Sequence, residues 1–137
     1  IINRRTIPDA CCPVDELALL YAEAGEAHKG WDCFVFDRRL YPRFELGTAC
    51  IGAGWIGRAM ITNMACLARK FFIFKDLHLT FHIGNDRVWL QEQFSDYTRH
   101  NQLECRKILD HFETCNGRLD RTSLPGRFYS KLEKAGL

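Results

Sequence analysis

The sequence lacks three features that would assign it to a broad class at once. No apolar run approaches the roughly 20 residues needed to cross a bilayer, so no membrane span is predicted. Lys and Arg total 19 against 17 Asp and Glu, a net charge of +2; without a basic block, no nucleic-acid partner is predicted. The seven cysteines contain no C-x-x-C pair and no regular spacing, which argues against a zinc knuckle or a disulfide framework. We therefore expect reduced thiols in a cytoplasmic protein.

No internal repeat, low-complexity tract or Ser/Gly-rich linker divides the 137 residues, and 47% of them are hydrophobic. A single domain with a hydrophobic core is therefore expected. The hydrophobic periodicity predicts helices over residues 12–28, 56–70, 95–115 and after Pro125, and strands over residues 31–36, 71–74 and 77–83. Ser95 is the predicted N-cap and Gly117 the predicted stop of the third helix, and residues 37–45 are predicted as a loop. This order of elements predicts an α/β fold, a mixed sheet flanked by helices.

The stretch CIGAGWIGRAM has the glycine spacing of a dinucleotide-binding turn. Gly52, Gly54 and Gly57 follow the pattern G-x-G-x-x-G, and Asp76 stands 24 positions after the first glycine. An acid at that distance would hold the ribose hydroxyls of a dinucleotide. The context fits less well, because only residues 48–51 are available as the entering strand and no crossover helix follows the second one. A Rossmann-type dinucleotide-binding module of an oxidoreductase is therefore kept as an alternative.

Four segments in succession suggest a second family: INRRTI, WDCFVFDRRLYPRF, ACIGAGWIGRAM and FFIFKDLHLTFHIGNDRVW. Their order resembles the C-terminal half of nucleotide-diphospho-sugar transferases, the glycosyltransferases of the GT-A type. The resemblance covers about residues 2–89 and rests on order and spacing. It implies a transferase with a nucleotide-sugar donor and a glycan or small-molecule acceptor, in which this chain supplies the acceptor side.

The resemblance also implies roles for particular residues. Gly54 and Trp55 match the glycine-tryptophan turn that shapes the pocket, and His82 matches a histidine that completes the coordination of Mn²⁺ or Mg²⁺ in metal-dependent members. The ion would neutralise the diphosphate leaving group. The substrate-binding candidates are the residues of the turn: Gly52, Gly54, Trp55, Gly57 and Arg58.

The sequence departs from the family at two points. The family turn has an acid after the tryptophan, where this chain has Ile56, and no Asp-x-Asp metal motif occurs in the chain. If the resemblance holds, that motif lies upstream, and this chain is the C-terminal part of a larger domain.

Two acids are the catalytic candidates. Asp76 follows an apolar run, where it could act as a base, bind ribose or pair with Lys75. Asp86 follows a predicted strand, a position that suits a site in an α/β fold. His78 shares a strand face with His82, but four positions apart in a strand separates them by about 13 Å, too far to share a metal without a bend.

A third hypothesis is a non-enzymatic, oligomerising α/β domain. The predicted helix over residues 95–115 has an apolar stripe that could face a second copy of the chain. A homo-oligomer is therefore kept among the expected partners.

Overall fold

The structure is a computed structural model, in which residues 2–3, 18, 30–31, 33–74, 80–81 and 91–137 are described. The chain divides into two compact units. The first combines Ile1–Phe34 with Phe72–Arg87, and the second combines Val35–Phe71 with Val88–Leu137.

The described part of the first unit contains one pair of short strands. Strand β1 (Ile2–Asn3) and strand β2 (Thr80–Phe81) run parallel, with Ile2 opposite Thr80 and Asn3 opposite Phe81. Ala18, the one described residue of the predicted first helix, is helical.

Three α-helices form the second unit and pack against one another. They are α1 (Ile56–Leu67), α2 (Ser95–Asn116) and α3 (Leu124–Lys134), with 3-10 helices at Arg38–Arg43 and Glu92–Phe94.

The ends of α2 and α3 follow from local chemistry. Helix α2 stops at Gly117, whose φ of 83° suits a residue without a side chain. Ser123 caps α3, since its Oγ accepts a hydrogen bond from the Gly126 N–H at 3.1 Å. A Cβ on Gly126 would lie 2.0 Å from the carbonyl oxygen of Asp120. The start of α3 therefore packs directly on the turn that precedes it.

The core of the second unit lies between the helices. Ala59 of α1 packs with Ile108 and Phe112 of α2, and the partly buried Cys66 and Leu67 cover this cluster. A small residue at position 59 lets the two helices approach closely. The other buried hydrophobic side chains are Trp55, Ile61, Cys105, Leu109, Phe128, Tyr129 and Leu132.

The predicted α/β fold with a mixed sheet is wrong for the part of the chain that the structure describes. That part is helical, and its strand pairing consists of the two residues in each of β1 and β2. The apolar segments 33–36 and 71–74, predicted as buried strands, form neither helix nor strand. Val35 is 84% exposed and Phe72 is 69% exposed.

The error has a physical reason. Aromatic and β-branched residues favour strands because their side chains pack well on a pleated sheet surface, rather than because of an intrinsic backbone preference. In residues 33–36 the alternation is present, with Phe34 and Phe36 more covered than Cys33 and Val35. No described strand lies beside them, so the extended segment makes no sheet. A short apolar run cannot reveal whether such a partner exists.

The predicted helices of the second half are confirmed. The helix after the glycine motif, the long helix ending at Gly117 and the helix around Pro125 all appear. Ser95, predicted as an N-cap, is instead the first helical residue, with Phe94 at the cap. The predicted loop over residues 37–45 contains the short 3-10 helix.

Candidate functional site

Residues 45–54 form a loop whose backbone is held by buried asparagines of α1 and α2. The Asn63 Oδ1 accepts from the Glu45 N–H at 2.6 Å, and its Nδ2 donates to the Glu45 carbonyl at 2.8 Å. The Asn101 Oδ1 accepts from the Cys50 N–H at 2.7 Å. Its Nδ2 donates to the carbonyls of Cys50 and Gly54, each at 2.9 Å. Each carboxamide thus supplies the donor and acceptor that a neighbouring strand would supply.

Glu104 of α2 holds the middle of the same loop. Its Oε2 accepts from the Thr48 N–H at 3.0 Å, and its Oε1 accepts from the Lys107 Nζ at 2.5 Å. The hydrogen bond from Lys107, followed by the one from Thr48, holds the pKa of Glu104 below its ordinary value. Gly47 makes this contact sterically feasible, since a Cβ there would lie 2.1 Å from the Glu104 Oε2.

The loop leads into a tight turn at the start of α1, centred on Trp55. Trp55 has a left-handed backbone with φ of 76°, and its side chain is only 8% exposed. It is the one described non-glycine residue with a positive φ. Its carbonyl accepts from the N–H groups of Arg58 at 2.9 Å and Ala59 at 3.1 Å. For a bulky residue this backbone costs about 1–3 kcal/mol and persists only where surrounding contacts impose it.

The glycines of the turn have distinct roles. Gly52 has a φ of 82° and open space around it, so it provides the tight bend. A Cβ on Gly54 would lie 3.1 Å from the Thr98 Oγ1, so this glycine lets the turn approach α2. Gly57 lies in the first turn of α1. In a dinucleotide site the second glycine would instead open the backbone to a pyrophosphate.

Two cations approach the indole ring of Trp55. The Arg58 Cζ lies 4.3 Å from the ring centroid, and the Nζ of Lys131, on α3, lies 5.9 Å from it. The Arg58 Cζ also lies 5.9 Å from the ring of Phe128. Burial lowers the pKa of Arg58 from its ordinary value.

One cluster of reactive side chains, on α2, was not predicted from the sequence. Cys115 and His111 are four residues apart on α2, and the Cys115 Sγ lies 3.6 Å from the His111 Nε2. The Glu45 Oε1 lies 3.8 Å from the same nitrogen. The spacing in HFETC is the sequence signal, because residues i and i+4 share a helix face. Both contacts use one nitrogen, so they do not form a relay through the ring.

The structure brings five of the predicted site residues into one turn: Gly52, Gly54, Trp55, Gly57 and Arg58. The predicted catalytic Asp76 and Asp86 and the predicted metal ligand His82 lie outside the described residues. Within the described ranges, no three His, Cys, Asp or Glu side chains are grouped to hold a metal ion.

Comparisons with known proteins add no relative. No protein-family model, curated protein or solved structure matches the chain. Among the helices that the structure describes, none has the length and apolar character that crossing a membrane requires.

Proposed function

We propose that this chain is the acceptor-side part of a glycosyltransferase that uses a nucleotide-sugar donor. The observation that carries the proposal is Trp55, held buried and left-handed in the turn that the resembled family uses to shape its pocket. Strained residues of this kind cluster at ligand sites, where contacts with the surrounding structure hold a backbone conformation that is unfavourable by itself. The activity is inferred from the resemblance to the transferase family, without the mixed sheet that was predicted from the sequence.

The hydrogen bonds of Asn101 support the proposal because they fix the turn before a substrate binds. Asn101 joins the carbonyl of Gly54 to the backbone of Cys50, so the residue before Trp55 cannot move independently of α2. A pocket wall fixed before the substrate arrives loses less conformational entropy on binding.

In the proposed reaction, an acceptor hydroxyl attacks the anomeric carbon while the bond to the donor diphosphate breaks. Either Asp76 or Asp86 is proposed to take the hydroxyl proton as the general base. The resemblance adds Mn²⁺ or Mg²⁺, with His82 as a ligand, which would neutralise charge on the departing diphosphate. A cytoplasmic location belongs to the same proposal, supported by the free thiols of all five described cysteines.

The dinucleotide alternative has less support. It needs a buried strand before the glycine turn, whereas the N–H groups of Thr48 and Cys50 donate hydrogen bonds to side chains of α2. It also needs Gly54 open to a pyrophosphate, whereas Gly54 faces Thr98.

A thermal-shift panel tests the proposal. Sugar nucleotides with Mn²⁺ are compared with NAD(P) and flavins, and we expect only the sugar nucleotides to raise the melting temperature. Release of nucleoside diphosphate in the presence of acceptor glycans then measures transfer. Stabilisation by NAD alone would overturn the proposal. If no ligand stabilises the chain and light scattering shows a tight dimer, the oligomerising domain is the better hypothesis.

A matched pair of glycine variants tests whether the turn is involved. Gly52 and Gly117 have φ values of 82° and 83°, and at both positions a Cβ would meet nothing within 4 Å. Replacing either by Ala therefore puts a side chain on a positive-φ backbone, at a cost of about 1–3 kcal/mol. Only Gly52→Ala should weaken the response to sugar nucleotide or acceptor. Equal ligand responses in the two variants would separate the turn from the function.

A further inference from the structure

Arg58 is a half-buried cation with no acidic partner in the part of the chain that the structure describes. Among the described residues, no carboxylate forms an ion pair or hydrogen bond with its guanidinium, whose Cζ lies 4.3 Å from the Trp55 ring centroid and 5.9 Å from that of Phe128. A cation removed from water normally gains a counter-charge, because desolvation disfavours the charged form. The lowered pKa of Arg58 has burial as its main cause.

Among the described residues, no acceptor takes a hydrogen bond from the Arg58 guanidinium, whose Cζ lies over the Trp55 ring. A guanidinium that lies over an aromatic face uses its flat surface, while its N–H groups point outward in the plane. Those N–H groups match two oxygens of a phosphate, which a fork-shaped donor binds bidentately.

Helix α3 brings a second cation to the same ring. The Lys131 Nζ lies 5.9 Å from the Trp55 ring centroid and, within the described ranges, has no ion-pair partner. The nearest acid along α3, Glu133, approaches Arg121 instead, at 3.8 Å. Two positive groups therefore lie within about 6 Å of one indole ring with no described carboxylate to balance them.

We propose that Arg58 and Lys131 form a binding site for a phosphate or diphosphate group beside the Trp55 turn. Arg58 supplies the planar, bidentate contact, and Lys131 supplies a mobile point charge. The site deepens the proposed function and rests on it for the source of the group, which is either the donor diphosphate or a phosphorylated acceptor.

The first experiment titrates the whole chain with pyrophosphate by isothermal calorimetry and follows the Arg58 side-chain N–H signal by NMR. We expect saturable binding that shifts this signal. Arg58→Gln should weaken the affinity about tenfold or more, and Lys131→Gln about threefold. Lys134→Gln, a matched lysine on the same helix, should bind as the wild type does. Arg58→Lys should recover part of the affinity, because it restores charge without the fork.

The outcome that would overturn the site is clear. Absence of saturable binding up to about 10 mM pyrophosphate, or wild-type affinity in both Arg58→Gln and Lys131→Gln, removes it. If Arg58→Gln does not fold, the exposed Lys131→Gln still decides, with Lys134→Gln as its reference. If Arg58 serves helix packing alone, Arg58→Gln lowers the melting temperature, and Lys131→Gln binds pyrophosphate as tightly as the wild type does.

A second set of titrations separates the two sources and the two proposals. Tighter binding of UDP than of glucose 6-phosphate assigns the site to the donor, and the reverse order assigns it to the acceptor. Pyrophosphate binding that depends on Arg58, without any sugar transfer, leaves the site standing and removes the proposed function. Sugar transfer that is unaffected by Arg58→Gln leaves the proposed function standing and removes the site.

Discussion

Replacing Asn101 by Ala is the most direct test of how the candidate site is held. Asn101 is 1% exposed on α2, and its carboxamide makes three hydrogen bonds to the backbone of Cys50 and Gly54. The substitution removes all three and leaves the loop backbone without its partners. The matched control is Asn116→Ala at the exposed end of the same helix.

The expected loss follows from the bond count. Each protein hydrogen bond contributes about 1 kcal/mol net, and a buried group left unpaired costs about 1–3 kcal/mol. Cys50 is only partly buried, so water replaces some of the lost contacts. Alanine also gains about 0.5 kcal/mol of helix propensity at both positions. We therefore expect Asn101→Ala to lower the free energy of unfolding by about 3 kcal/mol, and Asn116→Ala to change it by less than about 0.5 kcal/mol.

Two measurements check this reasoning. Urea unfolding followed by circular dichroism gives the loss in stability. Native-state hydrogen exchange then reports the Cys50 amide, which Asn101 protects in the wild type, and about 3 kcal/mol corresponds to about 100-fold faster exchange. A loss below about 1 kcal/mol together with unchanged Cys50 exchange would refute the inference that Asn101 holds the turn.

Three further predictions concern the same unit. Because the folded-state pKa of Glu104 is lowered, its stabilising contribution is present above its unfolded pKa near 4.5 and is lost as the pH falls through the folded value. Urea midpoints should therefore fall with acid more steeply in the wild type than in Glu104→Gln, and parallel curves would contradict the assignment. Gly126→Ala should lower the melting temperature by the equivalent of about 2 kcal/mol because its Cβ meets backbone, although Ala normally favours a helix; a raised melting temperature would contradict the packing. Burial raises the pKa of Cys66 to about 11 and of Cys105 to about 12, so peptide mapping after iodoacetamide treatment should show the exposed Cys33 and Cys115 modified before Cys66 and Cys105. Early labelling of Cys105 would contradict its burial.

The sequence was sufficient for the helices of the second unit because their signals are local. Apolar spacing, Gly117 and Pro125 each mark a helix or its end without reference to distant residues. The turn around Gly52 was predictable for the same reason, since only glycine adopts its backbone freely. The i, i+4 spacing of His111 and Cys115 is a local signal of the same kind, because it places both side chains on one helix face.

The contacts that hold the site were not predictable, because they join residues far apart in the chain. Asn101 bonds to Cys50 across 51 positions, and Glu104 bonds to Thr48 across 56. In the sequence both side chains look like ordinary polar positions on a helix. The strand predicted over residues 77–83 is confirmed at its two described residues, Thr80 and Phe81. The strand predictions over residues 31–36 and 71–74 failed for a related reason: whether an apolar segment joins a sheet depends on a partner that its own residues do not encode.

The asparagine and glutamate contacts also determine how this loop could diversify. The backbone of residues 45–54 is fixed by side chains of α1 and α2, whereas Ile51, at the tip, is 93% exposed. Substitutions at the tip therefore alter the surface offered to a ligand without altering the path of the chain. A library randomised at Ile51 and Ala53 should retain its fold while its binding preferences drift, so shape and specificity could evolve separately at this turn.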